Sequence, residues 1–198
     1  MGRLILVRHG ESELNRDGIF YGQLDPGLTE KGVRQAEEAK EVLKAFHYDE
    51  IYVSDLVRAR DTARILNHRE LEVVETEKLR ELNFGIFEGL KYDEILKKYP
   101  EEEALWREQW QDYDYENGES VRELQRRAVD FVEEKLEEDK NILVVAHWGV
   151  INCVLSHYLT GGLDGYWKFA TDNCGIAVIN FRDKFPVLEG LNIGGKKL

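Results

Sequence analysis

The run Asn141-Ile142-Leu143-Val144-Val145-Ala146 constrains the fold more than any other stretch of the chain. It is apolar at consecutive positions rather than alternate ones, and it is too short for a helix that spans a core. It therefore reads as a strand buried on both faces, which belongs in a parallel sheet covered by helices on each side.

The rest of the chain keeps the matching rhythm. Residues 4–7 (L-I-L-V) form a second strand-like run. Thr29 caps an expected helix to about Leu43, with Val33, Ala36, Ala39, Val42 and Leu43 as its apolar stripe. Ile51-Tyr52-Val53 is a short buried strand, Ser54 or Asp55 opens a helix through Leu66, and residues 71–74 give another strand. That order, βαβαβ, is the order of a largely parallel sheet with crossover helices.

The rhythm breaks between Leu79 and Asn117, where two short amphipathic helices are expected at residues 92–98 and 103–111, separated by Pro100. Trp106 and Trp110, four residues apart, read as a packing pair on the second of them. Ser120-Val121-Arg122-Glu123 is a capping box, and its helix is expected to run to about Glu138. After Ala146 comes a helix to Thr160, then strands near residues 176–181 and 187–191. The expected fold is α/β, a three-layer α/β/α sandwich with a mostly parallel central sheet. Residues 1–198 are expected to make one domain, with residues 82–117 as a small helical cap inserted in it.

Charge narrows the partners. Acidic residues number 39 against 27 basic ones, a net charge of −12, which argues against nucleic acid and against an anionic membrane. Cys153 and Cys174 have no CxxC spacing and read as reduced, buried thiols. Residues 4–7 are too short for a signal-peptide core, and no later run reaches transmembrane length, so a cytoplasmic location is expected.

Two of the buried strands end in histidine: Arg8-His9-Gly10 follows the first, and His147-Trp148-Gly149 follows residues 141–146. In a parallel sheet such strand ends share one edge, where ligand sites form. A third strand leads to Arg58 on a following helix, and a fourth leads through Leu79 to Glu81. Two histidines, two arginines and one carboxylate suit phosphoryl transfer, in which positioning and charge stabilisation do most of the catalysis. Arg8 and Arg58 can fork onto phosphoryl oxygens, and protonated His147 can donate to a further one. His9 can take the phosphoryl group covalently, and Glu81 can protonate the leaving alcohol and then activate water. Glu88, in the same loop as Glu81, competes for that role, while Thr62 and Glu11 read as scaffold. No metal-ligand spacing appears, and no metal or cofactor is expected.

The motifs L-V-R-H-G-E-S, S-D-L-V-R-A-R-D-T-A, L-R-E-L-N-F-G-I-F-E-G and V-V-A-H-W-G-V-I resemble, in order, the landmarks of the histidine phosphatase (phosphoglycerate mutase-like) superfamily. The resemblance spans nearly the whole chain. It implies His9 as phosphate acceptor, Arg8, Arg58 and His147 as the phosphate pocket, Asn15 as an added donor and Glu81 as proton donor.

Mutases of this family typically carry Glu-Arg-x-Tyr-Gly around the acid, whereas here Leu82 follows Glu81, the phosphatase form. The short, acidic segment from Glu101 to Glu116 is also poor company for a doubly anionic ligand. Within the phosphatases, W-R-E-Q-W-Q, N-G-E-S and Y-W-K-F resemble the α-ribazole phosphatases of cobalamin nucleotide-loop assembly. That resemblance implies a ribose phosphate bearing an aromatic base, to which Phe20, Tyr21, Gln23, Phe84 and Trp148 are placed to contribute. The expected partner is a small-molecule phosphomonoester, and a homodimer stays open. Broad-specificity sugar phosphatase, phosphoglycerate mutase and a non-catalytic phosphate binder remain the alternatives.

Overall fold

The computed structural model describes residues 2–136 and 140–195. Strands β1 (Arg3–Arg8), β2 (Glu50–Ser54), β3 (Val73–Thr76), β4 (Ile142–Ala146), β5 (Ile176–Arg182) and β6 (Phe185–Ile193) form one sheet in the order β3-β2-β4-β1-β5-β6. Neighbours from β3 to β1 run parallel, and β5 and β6 close the other edge antiparallel.

The apolar runs alternate between two cores, as the strand period of two requires. Leu4, Leu6, Ile142, Val144 and Ala146 face one side, against α6 (Val121–Leu136) and α7 (Trp148–Thr160). Ile5, Val7, Leu143 and Val145 face the other, against α2 (Glu30–Leu43) and α3 (Val57–Leu66). The result is the expected α/β/α sandwich. Between β3 and α6, helices α4 (Tyr92–Lys98) and α5 (Pro100–Gln109) pack over the first core. Cys153 and Cys174 are free and buried. Among the described residues, no helix is long and apolar enough to cross a membrane.

Several local expectations are corrected. A short helix, α1 (Glu13–Asp17), stands where only loop was expected, started by a capping box between Ser12 and Asn15. Val33 is 41% exposed, so the buried stripe of α2 is Gly32, Ala36, Ala39 and Leu43. Helix α3 begins later than expected, at Val57 with Leu56 at its N-cap, because Ser54 still belongs to β2. β3 starts at Val73 rather than 71, since the Leu71 backbone N–H and carbonyl are both bonded by the Asn67 side chain.

Pro100 begins α5 instead of standing before it, the position where a missing N–H costs nothing. Trp106 and Trp110 pack on different partners: Trp106 edge-on against Phe20 and Phe87, Trp110 stacked on Tyr166 and edge-on against Trp167. The capping box at Ser120 and Glu123 forms as expected, with Glu123 N–H donating to Ser120 Oγ and Ser120 N–H to the Glu123 carboxylate. The expected end of that helix, Glu138, lies outside the described residues.

Candidate active site

Strand register alone brings the two histidines together. Arg8 pairs with Ala146 in the parallel ladder, so the next residues, His9 and His147, leave the sheet side by side. The His9 N–H donates to the Ala146 carbonyl at 2.9 Å, and the two imidazole centroids lie 5.0 Å apart at 58°. Both rings are buried, and β2 delivers Ser54 Oγ to within 2.8 Å of His147 Nε2. Ser54 was missed as a site residue, although the rule that found the histidines, the C-terminal end of a buried strand, also applies to it.

The proton on His9 can be assigned from its partner. Nδ1 lies 2.7 Å from the Gly10 carbonyl oxygen, which can only accept, so Nδ1 carries the hydrogen and Nε2 keeps its lone pair. Burial, then Arg58 and Arg8, hold the His9 pKa well below the ordinary histidine value. His9 is thus neutral and nucleophilic at Nε2. Burial, then Arg58 and His9, push His147 down as well. A neutral His147 that accepts from the Ser54 hydroxyl at Nε2 still donates from Nδ1, an atom buried without a hydrogen-bond partner.

Arg58 is fully buried, and its two terminal nitrogens donate to the Gly22 and Leu24 carbonyls, both at 2.8 Å. Its guanidinium lies 4.6 Å over the Tyr21 ring, whose hydroxyl makes a short hydrogen bond with Ser12. Arg8 donates from one terminal nitrogen to the Thr171 carbonyl at 2.8 Å. The Nε atoms of both arginines are buried and unpaired. Unpaired cationic donors around a neutral histidine favour a bound anion, because burying them without one is costly. Asn15 turns Oδ1 toward Ser12 and Asn173, which leaves its amide nitrogen as a donor.

The two carboxylates of the 81–88 segment separate cleanly. Glu88 accepts from the backbone N–H groups of Gly22 (2.8 Å), Gln23 (3.0 Å) and Phe84 (3.2 Å). It holds the loop whose carbonyls hold Arg58, and nothing in its residue type signalled that. Glu81 accepts from Leu82 N–H at 3.0 Å and from Gly149 N–H at 3.1 Å, at the N-terminus of α7. A Cβ on Gly149 would press on Glu81 Oε1, so only glycine leaves the carboxylate in place. The Glu81 backbone carbonyl is fixed by Gln23 (2.9 Å) and Arg127 (3.1 Å). Gln23 and Tyr21 therefore brace Glu81 and Arg58. Thr62 is scaffold, accepting from Gly10 N–H and donating to the Arg58 carbonyl.

Beside Glu81 opens a cavity of about 280 Å³, walled by Phe20, Phe84, Trp106, Tyr115, Trp148, Tyr166 and Trp167, with Leu82, Val121 and Gly149. Of the expected substrate-side residues, Phe20, Phe84 and Trp148 reach it, while Tyr21 and Gln23 do not.

The sequence profile of the histidine phosphatase superfamily (branch 1) matches residues 4–194. Phosphoserine phosphatase 1 of Hydrogenobacter thermophilus is 35% identical over 196 residues, covering 98% of this chain and 93% of the relative. The adenosylcobalamin/alpha-ribazole phosphatase of Escherichia coli is 31% identical over 193 residues, covering 96% of this chain and 95% of the relative. The crystal structure of the alpha-ribazole phosphatase from Shigella flexneri superposes with a TM-score of 0.90 at 29% identity, covering 99% of this chain and 98% of that one. Shared sequence over nearly the whole length agrees with paired histidines beside unpaired arginine donors and a shielded carboxylate. The chain belongs to the histidine phosphatase superfamily, as a phosphoric monoester hydrolase.

Proposed function

We propose that the protein hydrolyses phosphomonoesters through a phosphohistidine at His9, and that its preferred leaving group carries an aromatic ring, with α-ribazole 5′-phosphate as the leading candidate. His9 Nε2 attacks phosphorus, the bond to the ester oxygen breaks, and Glu81 gives that oxygen its proton. Glu81 then takes a proton from water as the new P–O bond forms and the P–N bond breaks. Arg8, Arg58, His147 and Asn15 hold the non-bridging oxygens throughout. Residues 82–117 serve as the cap of a single domain and supply Phe84, Trp106 and Tyr115 to the cavity.

The observation that carries the substrate reading is the aromatic wall of the cavity beside Glu81. A neutral aromatic group gains by burying its faces there. The relatives named for phosphoserine support that substrate as a second reading. Its ammonium and carboxylate would lose water in this cavity, where no lysine or arginine stands in the wall to meet the carboxylate.

A substrate panel measured as kcat/KM tests the choice. α-Ribazole 5′-phosphate should exceed phosphoserine and 3-phosphoglycerate at least about tenfold, the effect of one buried apolar contact. Equal constants, or a preference for phosphoserine, would overturn the aromatic reading and leave the chemistry at His9 intact.

A further inference from the structure

Within an otherwise apolar wall, the Tyr166 hydroxyl is out of place. Tyr166 is 3% exposed and lines the cavity, and its hydroxyl makes no hydrogen bond among the described residues. Tyr115, the other phenol in the wall, packs edge-on against Phe84 and Phe87. The hydroxyl reaches the cavity surface, where a bound ligand can take its hydrogen bond in place of water. Burial pushes the Tyr166 phenol well above its ordinary range, so it stays protonated and able to donate.

Its place along the cavity indicates what it meets. The hydroxyl lies 3.1 Å from the Cβ position that Gly149 lacks, the same point that presses on Glu81 Oε1. Tyr166 therefore stands at the reacting end. The next residue, Trp167, is 56% exposed and pairs with the Trp148 ring at 5.4 Å, so the two indoles form the outer wall. Moving outward from the phosphate, a leaving group passes a hydroxyl first and an aromatic face second.

We propose that Tyr166 is a specificity residue of the leaving-group pocket, its hydroxyl bonding to a hydroxyl of the leaving alcohol while Trp148 and Trp167 take up an aromatic ring. The substrate class is then a phosphomonoester of a hydroxyl-bearing sugar joined to an aromatic base. This rests on the phosphomonoesterase reading of the site and deepens its substrate side.

The test pairs Tyr166→Phe with a substrate lacking the matching hydroxyl. Phenylalanine keeps the volume, and the hydroxyl it removes has no partner among the described residues, so the fold should be kept; an unchanged Tm confirms that. The substrates are α-ribazole 5′-phosphate, its 3′-deoxy analogue and 4-nitrophenyl phosphate.

Tyr166→Phe should lower kcat/KM for the hydroxyl-bearing substrate about tenfold and change the aryl phosphate less than twofold. The wild-type chain should lose a similar factor on the deoxy analogue, and the variant should lose nothing further on it. An equal loss on all three substrates, or none on any, overturns the role of Tyr166. A wild-type chain that does not distinguish α-ribazole 5′-phosphate from its deoxy analogue overturns it as well, without the variant. Failure of the wild type to prefer α-ribazole 5′-phosphate over phosphoserine would instead strike the substrate reading on which the proposal rests.

Discussion

Gly149→Ala isolates the placement of Glu81 without touching an ionisable group. The added methyl would press on Glu81 Oε1 and meet Leu124 Cδ2 and the Tyr166 hydroxyl, both at 3.1 Å. The carboxylate must swing away, and its bond from the Gly149 N–H, now 3.1 Å, goes with it. A hydrogen bond to a charged group contributes about 1.5–3 kcal/mol. With each ~1.4 kcal/mol worth a factor of ten, kcat/KM should fall about 10- to 150-fold on alkyl phosphates, which need a protonated leaving oxygen. An aryl phosphate with a good leaving group should be far less affected, because kcat/KM reports only the steps up to formation of the phosphoenzyme.

Alanine in a helix is favoured over glycine by about 0.5–1 kcal/mol, so global stability should not fall in step with activity. The assay is kcat/KM against leaving-group acidity, with Glu81→Gln as reference and the double variant closing the cycle. If the two losses add in the double variant, or if alkyl and aryl esters lose equally, Gly149 does not act through Glu81.

Two further outcomes concern the other ionisable groups of the site. Glu88→Gln should weaken competitive inhibition by inorganic phosphate about tenfold by loosening the loop under Arg58, yet leave the leaving-group dependence unchanged; a steeper dependence would mean that Glu88 shares the proton transfer. His9 and His147 are held neutral below the ordinary histidine pKa, chiefly by burial and then by Arg58. Between pH 6.5 and their depressed native values the unfolded chain binds the extra protons, so stability is full above pH 6.5 and falls as pH drops. From pH 7 to pH 5.5 urea unfolding should show a clear loss of stability. The His9→Gln, His147→Gln chain should lose correspondingly less, and an unchanged pH slope would contradict buried, neutral histidines.

What was legible in the sequence divides by physical range. The consecutive apolar run at residues 141–146 already implied helices on both faces, and the structure has them. His9 and His147 were readable as neighbours because both follow parallel strands, and the Arg8–Ala146 pairing realises that. Glu81 was preferred over Glu88, but the part Glu88 plays was not readable, since both roles depend on which backbone N–H groups each meets across long sequence separations. The start of β3 was misplaced because Asn67 takes the Leu71 backbone groups, a local competition that strand propensity does not register. Tyr166 and Trp167 stood out only within the Y-W-K-F resemblance; the packing of the turn after α7 is what brings them beside Glu81.

The central claim is covalent catalysis at His9. Mixing the protein with a ³²P-labelled phosphomonoester, quenching within milliseconds and mapping the label by alkaline peptide analysis tests it most directly. The account predicts an alkali-stable, acid-labile label on the peptide carrying His9, absent in His9→Ala, and accumulating in Glu81→Gln with an aryl phosphate, where water activation is lost. Turnover at the wild-type rate by His9→Ala, or a label on any other residue, would contradict it.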